Sequence, residues 1–272
     1  ALIVFAGLGA YINTFTNDFV WDDASSVLLN EHIKNPSYFL QLFKEDQHPF
    51  GTGQGNFYRP LVATSFMLDY ALASKVDGRP DPLVFHLTNA LWHVAAALLL
   101  FGLLERLRVP RFVSLVVPIA YVVHPLHTEA VAYISGRADP MAAAFVYAAL
   151  ICALWEGSPV RHAVGLVSSS VFFVAALLCK ESAMAYVALL ALVQFFRPVS
   201  GDRKKTYLAR GIPLVAGAIV LGVYLGLRAT VLKFASTTAT VAVAPFGQRL
   251  HDASTALAEY VKLIFVPVGL HM

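Results

Sequence analysis

The stretch VVHPLHTEAVAYISGRADP, residues 122–140, places histidines, carboxylates and an arginine between two apolar segments near 112–124 and 139–155. Ionisable side chains are costly within a bilayer, and where they gather they usually mark a functional site or a path. Pro125 also interrupts any helix that enters this stretch. The pattern predicts a charged turn between two membrane segments.

The composition around this turn is that of a membrane protein. Of the 272 residues, 58% are hydrophobic and 14% are charged, and the mean hydropathy is +0.65. Soluble domains carry about a quarter of charged residues, and a soluble core of this size could not hide so much apolar surface. The net charge is only +3 without a long basic run, which argues against a nucleic-acid partner. The sequence predicts an all-α, polytopic integral membrane protein.

Apolar segments recur along the whole chain. Several of them are shorter than the roughly 20 residues of a typical membrane helix. Cys152 and Cys179 each lie inside one, as buried small hydrophobic residues do, so no disulfide framework is expected. The chain starts with Ala and ends within an apolar stretch, which indicates a piece of a longer protein without a cleaved signal peptide. The segments lie near 1–16, 86–105, 112–124, 139–155, 163–179, 183–196, 212–228 and 254–272.

Basic residues between these segments predict the orientation of the chain. Alternate loops are arginine-rich and therefore share one side of the membrane, which the positive-inside rule assigns to the cytoplasm. The basic residues concerned are Arg106, Arg108, Arg111, Arg161, Arg197, Arg203, Lys204, Lys205 and Arg210. The outer side then receives the first extracytoplasmic loop, residues 17–85, together with the turn near 124–139, the Lys180–Glu181 turn and residues 229–253.

This orientation depends on residues 60–76, PLVATSFMLDYALASKV. Their modest length and the central Asp69 argue against a membrane span. We expect an amphipathic helix on the outer surface, with Pro60 in its first turn. If the segment did span, the acidic pair described next would lie on the cytoplasmic side.

Four polar clusters fall on the predicted outer side. They are VWDD with Asp22 and Asp23, NFYRPL with Arg59, the turn at 122–140, and LLCKESA with Lys180 and Glu181. The two aspartates could cap a helix that starts at Ala24, or they could supply a base, since neighbouring carboxylates can titrate differently.

The other clusters also allow more than one interpretation. His124, His127 and Glu129 offer at most three metal ligands around a proline, so hydrogen bonds to an anionic group are favoured over a metal site. Asp139 could cap the helix near Pro140, and Lys180–Glu181 could be an interfacial snorkelling pair. His86, Asn89 and His93 share a helix face, as in a polar seam between packed helices. The GTGQG run at 51–55 fits neither glycine-rich nucleotide motif and predicts a flexible loop.

Five motifs together resemble a known family. TNDFVWDD, NFYRPL, FHLTNALWH, VHPLHTEAVAYISGRAD and CKESA, in this order and spacing, are similar to the membrane portion of the transmembrane-and-tetratricopeptide-repeat O-mannosyltransferases and their prokaryotic relatives. The resemblance covers roughly residues 10–200. It implies a GT-C fold, here as one transmembrane catalytic domain over residues 1–272. No tetratricopeptide pattern is present, and the resemblance places such repeats beyond residue 272.

The resemblance implies a specific reaction. A sugar, mannose in this family, would pass with inversion from a polyprenyl-phosphate donor to a Ser or Thr hydroxyl of an acceptor protein. The site would face the lumen of the endoplasmic reticulum or the bacterial periplasm, at the outer edge of the bilayer. Asp22 takes the position of the catalytic base, Asp23 shares its role, and Glu129 orients the acceptor. No cofactor is implied with certainty, and a divalent cation stays open. Contacts to the donor's phosphate and sugar are expected from Arg59, His124, His127, Arg137, Asp139, Lys180, Glu181 and Arg228.

Other functions share these features. Transfer to a lipid or glycan acceptor would use the same fold. A transporter would also place charges within the membrane, but it would often show inverted repeats, and no matching halves are visible. A scaffold that had lost activity would have little reason to keep all the charged clusters.

Overall fold

The protein is almost entirely helical. The structure is a computed structural model that describes residues 1–48, 50, 56–197, 203–232 and 244–268; the predicted loop at 51–55 lies outside these residues. The helices are α1 Leu2–Ala10, α2 Glu31–Lys34, α3 Pro60–Leu72, α4 Pro82–Arg106, α5 Arg111–Val123, α6 Thr128–Ala132, α7 Ala138–Ala153, α8 Pro159–Leu177, α9 Ala185–Phe196, α10 Arg203–Thr230 and α11 Phe246–Phe265. Two short antiparallel strands, β1 Lys75–Val76 and β2 Arg79–Pro80, form a hairpin.

Three helices in the described part of the chain are long and apolar enough to cross a membrane. They are α4, α8 and the Arg210–Thr230 part of α10. A fourth span arises if α5 and the Pro125–Ala132 segment, bent by 49° against each other, count as one. The prediction of an all-α integral membrane protein is therefore confirmed. The predicted segments near 139–155 and 183–196 correspond to the shorter helices α7 and α9, and the segment near 254–272 overlaps α11.

Local sequence signals explain where the spanning helices begin. The Asp81 side chain accepts a hydrogen bond from the Leu83 amide, with Pro82 as the first residue of α4. Ser158 does the same for the Arg161 amide ahead of α8, with Pro159 in first position. A polar cap followed by proline is a typical helix start, because proline lacks only an amide hydrogen that would be unpaired there.

Helix α7 lies at the centre of the bundle, against α4 and α8. Its buried face is rich in alanine, and small side chains let helix backbones approach closely in membranes. Gly165 of α8 illustrates the result, because a Cβ atom at that position would lie 2.7 Å from the Cys152 carbonyl oxygen. The core of the protein is thus formed by closely spaced helices around α7.

Helix α3 forms within the predicted loop at residues 17–85, but it does not lie on the surface as expected. Val62 and Phe66 are fully buried, and Asp69 is only 3% exposed, whereas Leu68 and Leu72 are exposed. The polar Asp69 therefore faces the interior of the protein. The helix has 13 residues, too few for the roughly 20 of a regular span.

A buried ion pair explains the orientation of α3. Arg137, which is 0% exposed, places its Nη1 atom 2.5 Å from Oδ2 of Asp69. Its other nitrogens donate to Asn89 Oδ1 and to the Phe85 carbonyl of α4. The guanidinium also lies over the Phe66 ring, 4.5 Å from the centroid. The network joins α3 and α4 to the Ile134–Arg137 turn.

The network also changes the interpretation of Arg137. The family resemblance implies that Arg137 contacts the donor, but its guanidinium is fully buried and every nitrogen is bonded within the protein. We therefore assign Arg137 to the architecture of the domain. Asn89 and His93 form the polar seam that their spacing predicts: Asn89 bonds the turn after α6, and His93 lies 3.2 Å from the Val122 carbonyl.

Candidate active site

A cavity of about 530 Å³ opens beside the turn that joins α5 to α7. It brings together four of the predicted site residues: His127, Glu129, Asp139 and Lys180. The remaining wall is largely apolar, with residues of α7 and α9 and with Tyr260 of α11. Cavities with an apolar wall and a few convergent polar groups are the usual form of small-molecule sites.

Lys180 and Asp139 form an ion pair at this cavity. The lysine Nζ lies 2.6 Å from both carboxylate oxygens. Helix α7 begins at Ala138 without a side-chain cap, so Asp139 does not have the capping role that was considered. Lys180 likewise binds a partner within the protein instead of snorkelling into solvent.

Aromatic and imidazole rings close the inner end of the cavity. The ring centroids of Tyr121 and His127 are 4.4 Å apart, and those of His93 and His127 are 5.0 Å apart. His124 is not among the lining residues, and its Nε2 atom lies 3.0 Å from the Ile264 carbonyl of α11. Within the described residues, no group of three or more His, Cys, Asp or Glu side chains could hold a metal ion.

The structure separates the two adjacent aspartates. Asp23 is 0% exposed, and its carboxylate accepts hydrogen bonds from the Ser135 hydroxyl, the Ser135 amide and the Val20 amide. Burial raises the pKa of Asp23, and these hydrogen bonds oppose the rise. Asp22 is exposed. A helical turn does begin at Ala24, but neither aspartate side chain caps it.

Asp23 thus connects the segment before Ala24 to the turn after α6, whereas the neighbouring Asp22 stays exposed. The contacts that Asp23 makes are internal, which gives it a structural role in place of a shared catalytic one. Asp22 is not a lining residue of the cavity. Its backbone amide donates a hydrogen bond to the Tyr133 hydroxyl at 3.2 Å. The backbone at Asp22 and the side chain of Asp23 are therefore both bonded to the turn after α6.

A second polar group surrounds Arg59, which we call the Arg59 cluster: Gln47, Arg59, Glu181, Tyr224 and Arg228. Arg59 donates to Gln47 Oε1 at 3.2 Å and to Glu181 Oε2 at 3.4 Å. Tyr224 lies within electrostatic range of Arg59, Glu181 and Arg228. Arg228 itself donates to the carbonyl and side-chain oxygens of Asn56.

Several donors in the Arg59 cluster have no acceptor within the described part of the chain. They are Nε of Arg59, Nε2 of Gln47 and the hydroxyl of Tyr224, and all three atoms are buried; the buried Oε1 atom of Glu181, an acceptor, has no partner there either. Gln47 is 3% exposed and Tyr224 is 8% exposed. Buried donors are almost always paired, so each exception calls for an explanation.

The Arg59 cluster and the cavity are adjacent. Lys180 lines the cavity, and the next residue, Glu181, binds Arg59. Asp22 is connected to the Arg59 side through Ser25, whose hydroxyl donates to the Asp22 carbonyl and lies 2.9 Å from Nδ1 of His48, the residue after Gln47. The predicted residues therefore form two neighbouring groups joined by the Lys180–Glu181 turn, and three of them, Asp23, His124 and Arg137, belong to neither group.

Sequence reasoning missed several residues of this region. Gln47, His48 and Tyr224 carry no motif of their own, and each acquires its position only through tertiary packing. The EDQH stretch at 45–48 was a usable signal, because it places four polar residues shortly before NFYRPL.

The comparisons with known proteins agree with the motifs. The chain is 31% identical over 231 residues to the protein O-mannosyl-transferase Tmtc2 of Drosophila melanogaster, an alignment that covers 79% of the chain and 23% of that protein. It is 32% identical over 197 residues to Tmtc1 of the same organism, an alignment that covers 71% of the chain and 22% of that protein. It is 33% identical over 151 residues to human TMTC2, an alignment that covers 54% of the chain and 17% of that protein.

The chain spans about a fifth of the length of the curated relatives that it matches. No family model matches it, and no solved structure matches it at a significant level. Over most of its length the chain is similar in sequence to the protein O-mannosyl-transferases named Tmtc, the family that its motifs predict.

Proposed function

We propose that the chain is the membrane catalytic portion of a glycosyltransferase of the GT-C fold. It would transfer a sugar, mannose by analogy with the names of its relatives, from a polyprenyl-phosphate donor to a Ser or Thr hydroxyl of an acceptor protein. The reaction would take place at the outer membrane face, with residues 17–85 as the first extracytoplasmic loop. It would invert the anomeric carbon.

The observation that carries this proposal is the set of unpaired donors in the Arg59 cluster. A guanidinium nitrogen, an amide nitrogen and a phenolic hydroxyl, all buried, lack an acceptor. An anion with several oxygens would supply an acceptor oxygen to each of these three donors. Arginine suits phosphate in particular, because its planar fork makes charge-assisted bonds to two oxygens. A lipid phosphate at the membrane edge fits this donor set.

The same donors would assist the chemistry. As the bond between the anomeric carbon and the phosphate oxygen breaks, negative charge develops on the phosphate, and preorganised donors in a site that excludes water stabilise it. The sugar would lie toward the cavity, where Glu129, His127 and the Lys180–Asp139 pair offer hydrogen-bond partners for hydroxyl groups. The isoprenoid chain would lie in lipid.

Asp22 would act as the base of a single displacement. The acceptor hydroxyl oxygen attacks the anomeric carbon, its proton passes to the Asp22 carboxylate, and the phosphate departs with the electron pair. One carboxylate opposite the leaving group gives inversion, by the logic that governs inverting glycosidases. Asp22 is exposed, as this role requires, and Ser25 links its backbone to His48, the residue after Gln47 of the Arg59 cluster.

A donor-binding variant tests the proposal. Arg59→Gln is expected to lower the transfer rate from mannosyl-phosphoryl-polyprenol by about 10²-fold, the effect of removing one preorganised donor at a developing charge. Release of polyprenyl phosphate by the purified chain in lipid nanodiscs, with and without a Ser/Thr peptide, measures the rate. Arg79→Gln is the matched control, because Arg79 is an exposed arginine of the same predicted loop whose side chain contacts Asp18 and Phe19. Equal rates in the two variants would contradict the placement of the phosphate.

A further inference from the structure

Glu181 has one carboxylate oxygen without a hydrogen-bond donor. Its Oε2 atom accepts from Nη2 of Arg59 at 3.4 Å, whereas its Oε1 atom is buried and unpaired within the described part of the chain. A carboxylate can only accept hydrogen bonds, and a buried acceptor that lacks a donor costs free energy. The phosphate of a lipid-linked sugar cannot supply the donor, because it is an ionised diester that carries no hydrogen.

The unpaired oxygen and an unpaired nitrogen belong to the same ion pair. Nε and Nη2 of Arg59 form one edge of the planar guanidinium, and a carboxylate often binds such an edge with both of its oxygens. Here Oε2 of Glu181 is bonded, but Oε1, an acceptor, and Nε of Arg59, a donor, are both buried and both unpaired. A ligand that completes this edge must offer an acceptor and a hydrogen-bond donor close together.

Further contacts hold both partners of the ion pair in place. Nη1 of Arg59 donates to Gln47 Oε1 at 3.2 Å, and the guanidinium lies over the Phe57 ring, 4.7 Å from its centroid. Glu181 directly follows Lys180, whose Nζ binds Asp139 at the cavity. The incomplete edge thus lies where the Arg59 cluster meets the cavity. Because Arg59 balances the charge of Glu181, the carboxylate does not exclude an anionic ligand.

A sugar that is linked to phosphate through its anomeric carbon offers the required pair of groups. Its phosphate oxygens are acceptors. The hydroxyl on C2, the carbon next to the anomeric carbon, is the hydroxyl donor closest to them along the molecule. The ring oxygen, the other neighbour of the anomeric carbon, carries no hydrogen and could not bond a carboxylate.

We propose that Glu181 is a specificity-determining residue that accepts a hydrogen bond from the 2-hydroxyl of the donor sugar, an inference that rests on the proposed function. Nε of Arg59 donates to the phosphate of the same molecule, so one ion pair holds the groups on both sides of the anomeric carbon. Hydrogen bonds to the 2-hydroxyl strengthen in the transition state of glycosyl transfer. Glu181 therefore selects donors with a hydroxyl at C2 and also favours their reaction.

Two donors that differ only at C2 test this inference. Wild-type protein in lipid nanodiscs is given polyprenyl phosphate that carries either mannose or its 2-deoxy analogue, and release of polyprenyl phosphate gives kcat/KM for each. The 2-deoxy donor should be used about 10²-fold less efficiently, the size of one hydrogen bond to a charged group. Loss of the electron-withdrawing hydroxyl makes the bond to the anomeric carbon easier to break, so a lower rate reflects the missing contact.

Glu181→Gln separates recognition of the sugar from a structural role. Nη2 of Arg59 is a donor, so the amide oxygen must face it, and the amide NH₂ takes the place of Oε1. The preference for mannose over the 2-deoxy sugar should then fall from about 10²-fold to about 10-fold or less, because the charged acceptor is gone. A structural role alone would lower both rates equally. Glu156→Gln, which removes a carboxylate paired with Arg197, is the control and should keep the wild-type preference.

The opposite results overturn the inference. Wild-type protein that uses both donors equally well would show that no group binds the 2-hydroxyl, and this comparison needs no variant to fold. An unchanged preference in Glu181→Gln would assign the recognition to another residue. Folded wild-type protein that releases polyprenyl phosphate from neither donor would instead refute the proposed function, and the role of Glu181 with it.

Discussion

Asp22→Asn is expected to lower sugar transfer by about 10²–10⁴-fold, the contribution of a well-placed general base. The amide keeps the size of the carboxylate but cannot take the hydroxyl proton. Because Asp22 is exposed and its carboxylate does not cap the turn that begins at Ala24, the variant should fold normally. The loss should therefore fall on kcat, with little change in the KM for the lipid donor. Initial rates over a range of donor concentrations measure both quantities.

Two variants control this experiment. Asp18→Asn removes another exposed carboxylate of the same loop, one that pairs with Arg79, and should leave the rate unchanged. Asp23→Asn should lower thermal stability instead, because it replaces one of the acceptor oxygens that hold the Ser135 and Val20 donors with a donor group. A normal rate in Asp22→Asn, or a kinetic loss confined to well-folded Asp23→Asn, would move the base away from Asp22.

Arg137→Met is expected to destabilise the folded protein by about 3–5 kcal/mol, the cost of leaving one charge of a buried pair uncompensated. Asp69 would remain almost completely buried without its cation. The variant also removes the donors to Asn89 and to the Phe85 carbonyl. Thermal unfolding in detergent, followed by circular dichroism, measures the loss.

A double variant separates the charge from the packing. Asp69→Leu with Arg137→Met removes both charges at once, so it should be more stable than Arg137→Met alone, because apolar replacements of a buried pair are often tolerated. Arg161→Met, at an exposed arginine of α8, is the surface control and should have little effect. A single variant as stable as this control would mean that the buried pair contributes nothing.

The sequence predicts the membrane class and most helix positions well. Hydropathy over whole segments is a strong signal, and Pro82 and Pro159 with the polar residues before them locate the starts of two spanning helices. The pairing of Asp69 with Arg137, in contrast, could not be predicted from the sequence. Nothing local joins these two residues, so Asp69 suggested a polar helix face and Arg137 suggested a ligand contact. Only the packing of α3 against the Ile134–Arg137 turn shows that each neutralises the other.

In the candidate site, too, some residues could be predicted from motifs and others only from tertiary contacts. The HPLHTE, GRAD and CKE motifs place His127, Glu129, Asp139 and Lys180 on one side of the membrane, and the structure brings them to one cavity. The difference between Asp22 and Asp23 could not be read from the sequence, because it depends on a contact with Ser135, more than a hundred residues away. Gln47, His48 and Tyr224 likewise belong to the site only through tertiary contacts.

The most direct test of the central claim is to identify the product. Purified protein in nanodiscs should be incubated with mannosyl-phosphoryl-polyprenol labelled with ¹³C at the anomeric carbon, together with a Ser/Thr-rich peptide. The account predicts a peptide that carries a single labelled hexose on a hydroxyl, with the anomeric configuration opposite to that of the donor, and release of one polyprenyl phosphate for each sugar transferred. A labelled peptide with the donor's own configuration, or donor that stays intact in the presence of folded protein, would contradict it.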